Sequence, residues 1–403
     1  MQPIRLMDLR STYRWGGGPD KTILNSAKMH DKSIVDTLVV YLRSDWDTEF
    51  TLAKKAADMG VRCVEIIETK ALDGAAFKKV VECARKNRIQ IIHSRDYKTN
   101  IMALLIKTFY LPDIKIITMA HGWVGTGHKL RFYYFIDRIV ASFFDRNLLL
   151  FSGQRAQFIR RPALHKTIVV HNGIDTIEWN STLYSKGKLR NEFSIPSDIP
   201  IIGYTGRIMP EKDILTMVKV AQKLVFDKGQ KVKFVLIGES KTGVYSDAVK
   251  RAITAAHLDD TFVFTGVRHD LKELLVDFDI FLMTSLQEGF PNSLLEGMAM
   301  KIPAVVSAVD GIPEIMANDE NALLCPAGSI DCFVRALDTL LNNPHQCTAL
   351  ADNAFALVNS KLSFTYRLKK MERIYMDLMD NKITMALGSP TNLSEDAILS
   401  LRG

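Results

Sequence analysis

Short apolar runs recur along the chain, each closed by a polar or glycine-containing turn. Residues 4–9, 37–42, 61–67, 89–93, 114–119 and 167–171 form one series, and 201–205, 234–238, 262–266, 279–283 and 304–307 form a second. Continuous apolar stretches of this length suit strands covered on both faces. Between them, stretches such as 75–88, 99–109 and 213–228 repeat their apolar residues at helical spacing. Strand alternating with helix predicts an α/β protein with parallel, doubly wound sheets. The segment 183–199, with Ser185, Gly187 and Pro196, is rich in turn formers and predicts a hinge. That divides the chain into a first domain, 1–182, and a second, 200–362. An amphipathic helix over 363–385 and a patternless tail, 386–403, follow.

The sharpest local pattern spans Thr284 to Gly297. A strand ends at Thr284, a loop holds Gly289 and Pro291, and a helix runs through Leu294, Leu295 and Met298, with Asn292 or Ser293 expected as its cap. Unpaired N–H groups at such a helix start suit a phosphate. Glu288 and Glu296 flank that start. As carboxylates they would repel a phosphate but can accept hydrogen bonds from sugar hydroxyls on either side of one. A ligand with sugar, diphosphate and ribose in series fits. The plainer alternative is a solvated loop glutamate and a first-turn glutamate favoured by the helix dipole. A second strand-to-turn unit carries Gly206, Arg207 and Lys212. Arg207 can make forked hydrogen bonds to phosphate oxygens and Lys212 adds a point charge, which together could stabilise a departing diphosphate.

Other turns are less specific. Gly16, Gly17 and Gly18 lie between the first strand and a helix expected from residue 22, but match no phosphate-loop signature. Asp45-Trp46-Asp47 forms a D-x-D triplet that could hold a divalent metal; because apolar helical spacing follows, helix capping by Asp47 is the better explanation and no metal is expected. His93-Ser94-Arg95-Asp96 stands where open sheets bind ligands, and a capped helix start explains it equally well. His121, followed by Gly122 after a strand, could meet a sugar or acceptor hydroxyl, or be held by loop backbone. Residues 129–144 mix aromatics and cations at helical spacing, as either a core-facing helix or one lying on a membrane surface.

Composition narrows the partners. The 403 residues suffice for two α/β domains, and 47% hydrophobic with 24% charged residues is ordinary for a globular protein. No apolar run is long enough to span a bilayer, and no signal-peptide layout opens the chain. Five cysteines without a C-x-x-C pair argue against a disulfide framework and for a reducing cytoplasm. Residues 1–190 hold 31 Lys+Arg against 18 Asp+Glu, whereas 191–403 hold 21 against 27. The basic first half suggests an anionic partner, a membrane surface, a lipid phosphate or nucleic acid, with a solvated surface that happens to be basic as the plainer alternative. No zinc finger or RNA-binding aromatic pattern points to nucleic acid.

Glu288-Gly-Phe-Pro-Asn-Ser-Leu-Leu-Glu296 resembles the E-x7-E signature of retaining GT-B glycosyltransferases, the family 4 group in particular. The Gly206-Arg207…Lys212 unit resembles that family's diphosphate clamp, His171-Asn172-Gly173-Ile174-Asp175 its N-G-[IV]-D segment, and Val309-Asp310-Gly311-Ile312-Pro313-Glu314 its glycine loop. Ser329 stands where the family usually has Asp, and can cap the following helix as well. The resemblance implies two Rossmann-like domains facing across a cleft, with the last helix crossing back to the first. It implies a nucleotide-sugar, UDP- or GDP-linked, as co-substrate and a glycan or lipid-linked saccharide as acceptor. Glu288 would contact the donor sugar and Glu296 the ribose. Arg207, Lys212 and the triplet Gly16–Gly18 would face the diphosphate. The backbone at Phe290, Asn292, Ser293 and Leu294 would meet sugar and phosphate, and that at Val267 and Arg268 the base. His121 would approach the sugar from the first domain. A sugar-nucleotide epimerase of the same fold and a catalytically idle adaptor are the competing readings.

Overall fold

The computed structural model describes residues 2–14, 16–70, 73–120, 128–158, 165–238 and 243–380. The first sheet contains β1 (Ile4–Ser11), β2 (Val35–Ser44), β3 (Cys63–Glu68), β4 (Ile91–Ser94), β5 (Lys115–Ala120), β6 (Arg146–Leu149) and β7 (Thr167–Val169). The second contains β8 (Ile201–Thr205), β9 (Lys233–Ile237), β10 (Phe262–Gly266), β11 (Ile280–Met283), β12 (Ala304–Ser307) and β13 (Leu323–Cys325). Their orders are β3-β2-β1-β4-β5-β6-β7 and β10-β9-β8-β11-β12-β13, paired in parallel throughout. Both orders reverse direction once, between β1 and β4 and between β8 and β11. Loops leaving the carboxyl ends of strands at such a point diverge and leave a crevice.

The apolar runs become strands because both sheet faces are covered. β8 and β11 are buried at every residue. One buried apolar cluster is continuous between the domains, joining Leu148, Phe151 and Ile174 of the first to Phe290, Leu294 and Ile312 of the second. The helix Phe364–Met379 returns to the first domain, as expected, capped by Ser363, whose hydroxyl accepts from the Tyr366 N–H at 3.2 Å. Its Tyr375 hydroxyl meets His93 Nδ1 at 3.0 Å, and its Glu372 meets His30 Nδ1 at 2.9 Å, both out of water. Beneath it, Arg95 holds Asp8 through two bonds, at 2.8 and 2.5 Å.

Several expectations need correction. The hinge region is not simply loop: Lys188–Glu192 is a helical turn whose Gly187 and Leu189 N–H groups are held by Asp277 Oδ1 and Oδ2 at 2.5 and 2.8 Å. The first helix begins at Gly18, earlier than expected, and β6 had no counterpart in the expected pattern because its sequence, Arg-Asn-Leu-Leu, is short and half polar. Asp47 does not cap a helix; Thr51 occupies the N-cap position of Leu52–Asp58, and the buried Asp47 carboxylate accepts from the Arg14 N–H at 2.6 Å. Cys325 and Cys332 form a disulfide between β13 and the next helix, with Cα atoms 5.6 Å apart. The tail 386–403 lies outside the described residues.

Removing one partner of a buried ion pair leaves the other unpaired, which costs about 3–5 kcal/mol, whereas an exposed pair is worth about 1 kcal/mol or less. Asp8→Ala is therefore expected to destabilise the first domain by several times more than Asp36→Ala, which removes the exposed partner of Arg62. Urea unfolding followed by first-domain probes checks this; equal losses would contradict it.

Candidate active site

The two crevices face each other. In the second domain, the loops leaving β8, β11 and β12 converge because those strands are neighbours. Gly206, at φ 150, turns the chain out of β8, and a Cβ on Gly238, after β9, would stand 1.9 Å from its carbonyl oxygen. The two loops can approach this closely only with glycine there. Arg207 follows, with its side chain 55% exposed and a carboxylate, Glu211, no nearer than 3.9 Å. Lys212 points inward instead: its Nζ lies 2.7 Å from Glu288 Oε1, the two side chains 18% and 5% exposed. Ser285 Oγ donates to the same Glu288 oxygen at 2.7 Å, and the Glu288 N–H donates to Asp310 Oδ2 at 2.6 Å.

The helix Asn292–Ala299 begins as the anion-site reading requires, with one correction. Neither Asn292 nor Ser293 is its cap; Pro291 holds that place in extended conformation and no side chain caps the end. The N–H groups of Asn292, Ser293 and Leu294 therefore form an uncapped helix start, with no acidic residue in the first turn. Opposite stands the helix Gly18–Met29, whose N-cap, Gly17, has no side chain to offer. A Cβ on Gly18 would stand 3.1 Å from Asn292 Nδ2, so the two helix starts are neighbours. The buried Asp20 braces the glycine turn, accepting from the Gly17 N–H at 2.7 Å and pairing with Arg10 Nε at 2.8 Å. Two helix starts then flank one space between the domains, the Asn292 start with free N–H groups and the Gly18 start with the Asp20 carboxylate already in its first turn.

Glu296 lies one turn into its helix, buried. Burial pushes its carboxyl up to about 7; Lys21 and Lys272 pull it down and Glu178 pushes it further up. Val267 is exposed after β10, whereas the Arg268 guanidinium is bound by Glu192 and Asp270, leaving that segment's backbone as the part able to meet a ligand. In the first domain, Asp96 caps the helix Tyr97–Phe109, accepting from the Lys98 and Thr99 N–H groups at 3.1 and 3.0 Å, so the capped-start alternative holds there. His121 lies outside the described residues. Among the described residues, no group of three or more His, Cys, Asp or Glu is placed to hold a metal ion.

The sequence reading thus singled out residues that the fold brings together: Gly18, Arg207, Lys212, Glu288, Asn292 and Glu296. It missed Ser285 and Asp310, which hold Glu288, and Asp20, which holds the glycine turn. Only Asp310 carried a local signal, as the non-glycine residue before Gly311 in a turn.

Residues 185–356 match the family described as Glycosyl transferases group 1, and residues 16–178 match Glycosyltransferase Family 4. A UDP-Gal:alpha-D-GlcNAc-diphosphoundecaprenol alpha-1,3-galactosyltransferase of Escherichia coli is 23% identical over 312 residues, 74% of this chain and 78% of that protein. The O-antigen biosynthesis glycosyltransferase WclY of Escherichia coli is 24% identical over 375 residues, 90% of this chain and 95% of the relative. Among solved structures, Anabaena Alr3699/HepE in complex with UDP superimposes with a TM-score of 0.79 at 17% identity, covering 93% of this chain and all 100% of that one. A Rickettsia africae glycosyltransferase gives 0.79 at 18%, covering 95% and 100%. The fold of these structures is the GT-B arrangement of two Rossmann-like domains.

Glu296 has a consequence for stability. Its carboxyl is raised on folding from 4.5 to about 7, so folding takes up a proton between those values. The neutral form is the one the fold favours, and stability present below pH 4.5 is lost as pH rises through about 7. The full difference corresponds to about 3 kcal/mol. Glu296→Gln, which cannot ionise, is expected to remove this part of the pH dependence, gaining on the wild type between pH 5 and 8. Melting curves across that range check it; parallel pH profiles would refute it.

Proposed function

The chain belongs to the GT-B glycosyltransferases of the group 1 and family 4 type, and from that premise we propose that it is a retaining, metal-independent hexosyltransferase. Its donor is a UDP- or GDP-linked sugar. Its acceptor is a glycan or lipid-linked saccharide in cell-surface polysaccharide assembly. The observation that carries this reading is the Lys212–Glu288 pair beside two facing helix starts. The diphosphate lies between those starts, with the exposed Arg207 closing on it. Lys212 stands between diphosphate and sugar, where it stabilises charge developing on the leaving group. Glu288, held at one oxygen by Lys212 and Ser285, accepts from a hydroxyl of the donor sugar through the other. Glu296 takes the ribose hydroxyls. His121 meets the sugar from the first domain. The acceptor hydroxyl attacks from the face that the diphosphate leaves, and its proton passes to a departing phosphate oxygen. UDP is favoured over GDP by the UDP-Gal named for one relative and the UDP bound in the HepE structure.

A lipid-linked acceptor places the protein at the inner face of the membrane. Supporting this, Phe132 and Phe135 on the helix His128–Ala141, and Phe143 just beyond it, are exposed, as are Leu105 and Phe109 on the adjacent helix Tyr97–Phe109. They lie in the basic first half of the chain. Among the described residues no helix is long and apolar enough to cross a membrane.

UDP-sugars are expected to raise the melting temperature selectively and without sensitivity to EDTA. Glu288→Gln should lower transfer by about 10²–10³-fold while UDP binding persists. Unchanged turnover would end the assigned role; release of an altered free nucleotide-sugar without acceptor would replace it with epimerisation, and absence of any donor binding would favour an adaptor. Phe132→Asp combined with Phe135→Asp should abolish co-sedimentation with vesicles containing anionic lipid. Full retention by vesicles would remove the membrane contact.

A further inference from the structure

The loop that carries Glu288 is held from both domains. On its own side, Asp310 accepts the Glu288 N–H at 2.6 Å from a left-handed position, φ 48, that aspartate tolerates. Gly311 lies so close that a Cβ there would stand 2.7 Å from the Gly289 carbonyl oxygen and 2.9 Å from Phe151 Cβ of the first domain. From the first domain, the segment leaving β7 brings His171 and Asn172 to the far end of the same loop. The His171 ring stacks on Phe290 with centroids 4.8 Å apart and planes 19° from parallel. His171 Nδ1–H donates to the Leu150 carbonyl at 2.7 Å, which fixes the ring's tilt, and burial lowers its pKa. Asn172 Nδ2 donates to the Phe290 carbonyl at 2.9 Å, across 118 residues of chain.

These contacts matter because a two-residue path separates the Phe290 carbonyl from Glu288. A carboxylate that must meet one sugar hydroxyl needs placement to a fraction of an ångström, and displacement by about 1 Å can cost about 10²-fold in rate. Groups with no access to the reacting atoms can supply that placement by fixing the backbone on which the carboxylate is mounted.

We propose that Asn172 is a positioning residue for sugar transfer: by holding the Phe290 carbonyl from the first domain, it sets where the second domain's Glu288 stands. The placement of Glu288 then depends on a contact from the first domain as well as on Lys212, Ser285 and Asp310 of its own. The inference rests on the reading of Glu288 as the group that meets the donor sugar. It separates turnover from nucleotide affinity, because the diphosphate groups Arg207, Lys212 and the Asn292 helix start are anchored in the second domain, and the facing Gly18 start is braced within the first by Asp20.

The test uses the full chain with Asn172→Asp, which keeps the shape but turns an acceptor toward the Phe290 carbonyl, and Asn172→Ala, which deletes the donor. Deuterium exchange of the unliganded protein reads the loop directly. Amides of residues 286–290 are expected to exchange about fivefold to tenfold faster, the worth of one hydrogen bond, with the rest of the second domain unaltered. Turnover should fall about tenfold or more while UDP affinity stays within about twofold. A merely structural role between the domains would not divide kcat from UDP affinity. Unchanged exchange over 286–290 in both variants overturns the proposal whatever the activity. So does a loosened loop with wild-type kcat, or a fall of kcat and UDP affinity together. Failure of the wild type to use any UDP- or GDP-sugar would instead sink the functional reading, and the exchange data would still judge the tether.

Discussion

A carboxylate and an ammonium taken largely out of water set the terms for this cleft. Lys212 and Glu288 meet at 2.7 Å with little of either side chain exposed. Such a pair is stable only when its geometry is good and its remaining hydrogen-bonding capacity is met. Ser285 supplies a hydroxyl, and Asp310 fixes the backbone beneath Glu288. These groups come from three loops, leaving β8, β11 and β12. The loops meet because β11 lies between β8 and β12 in the sheet. The strand order is therefore not a background to the site; it is what makes the ion pair possible.

The same dependence explains what the sequence reveals and what it hides. Apolar runs of strand length and helical spacing between them report local burial, so both sheets and most helices are legible. The Asn292 helix start and the Arg207–Lys212 turn are legible too, because each is one strand–loop–helix unit with its chemistry within a few residues. Local rules fail where a distant partner decides. Asp47 has the look of a helix cap, yet the N–H of Arg14, 33 residues away, claims it. His93 stands at a strand end facing a ligand crevice, yet Tyr375, 282 residues away, takes its ring nitrogen. Pro291 displaces Asn292 and Ser293 from the cap because its own φ suits the extended N-cap conformation. No periodicity marks such pairs.

Contacts that join the domains form the extreme of this class. Asn172 to Phe290, Ser152 to Glu314 and His30 to Glu372 span 118, 162 and 342 residues. Together with the apolar cluster running from Phe151 to Ile312, they make the two sheets one body around the cleft. Local pattern thus reveals the components of the site, whereas their mutual placement depends on contacts the chain makes only when folded.

Charge in the cleft follows a related logic. A diphosphate bound as proposed would meet two helix starts and the exposed Arg207, while Lys212 is already engaged by Glu288. Two ionised glutamates at full strength would oppose that anion. Lys212 offsets the charge of one of them. For Glu296, burial pushes the carboxyl up to about 7, so near neutrality the protonated form is favoured more than for an exposed glutamate. A protonated Glu296 repels no phosphate and can donate to a hydroxyl as well as accept from one. The two carboxylates are thus tempered by different means, one by a cation and the other by exclusion from water. Under the proposed function, that difference keeps the first a fixed acceptor for a sugar hydroxyl and lowers the charge the second sets against the diphosphate.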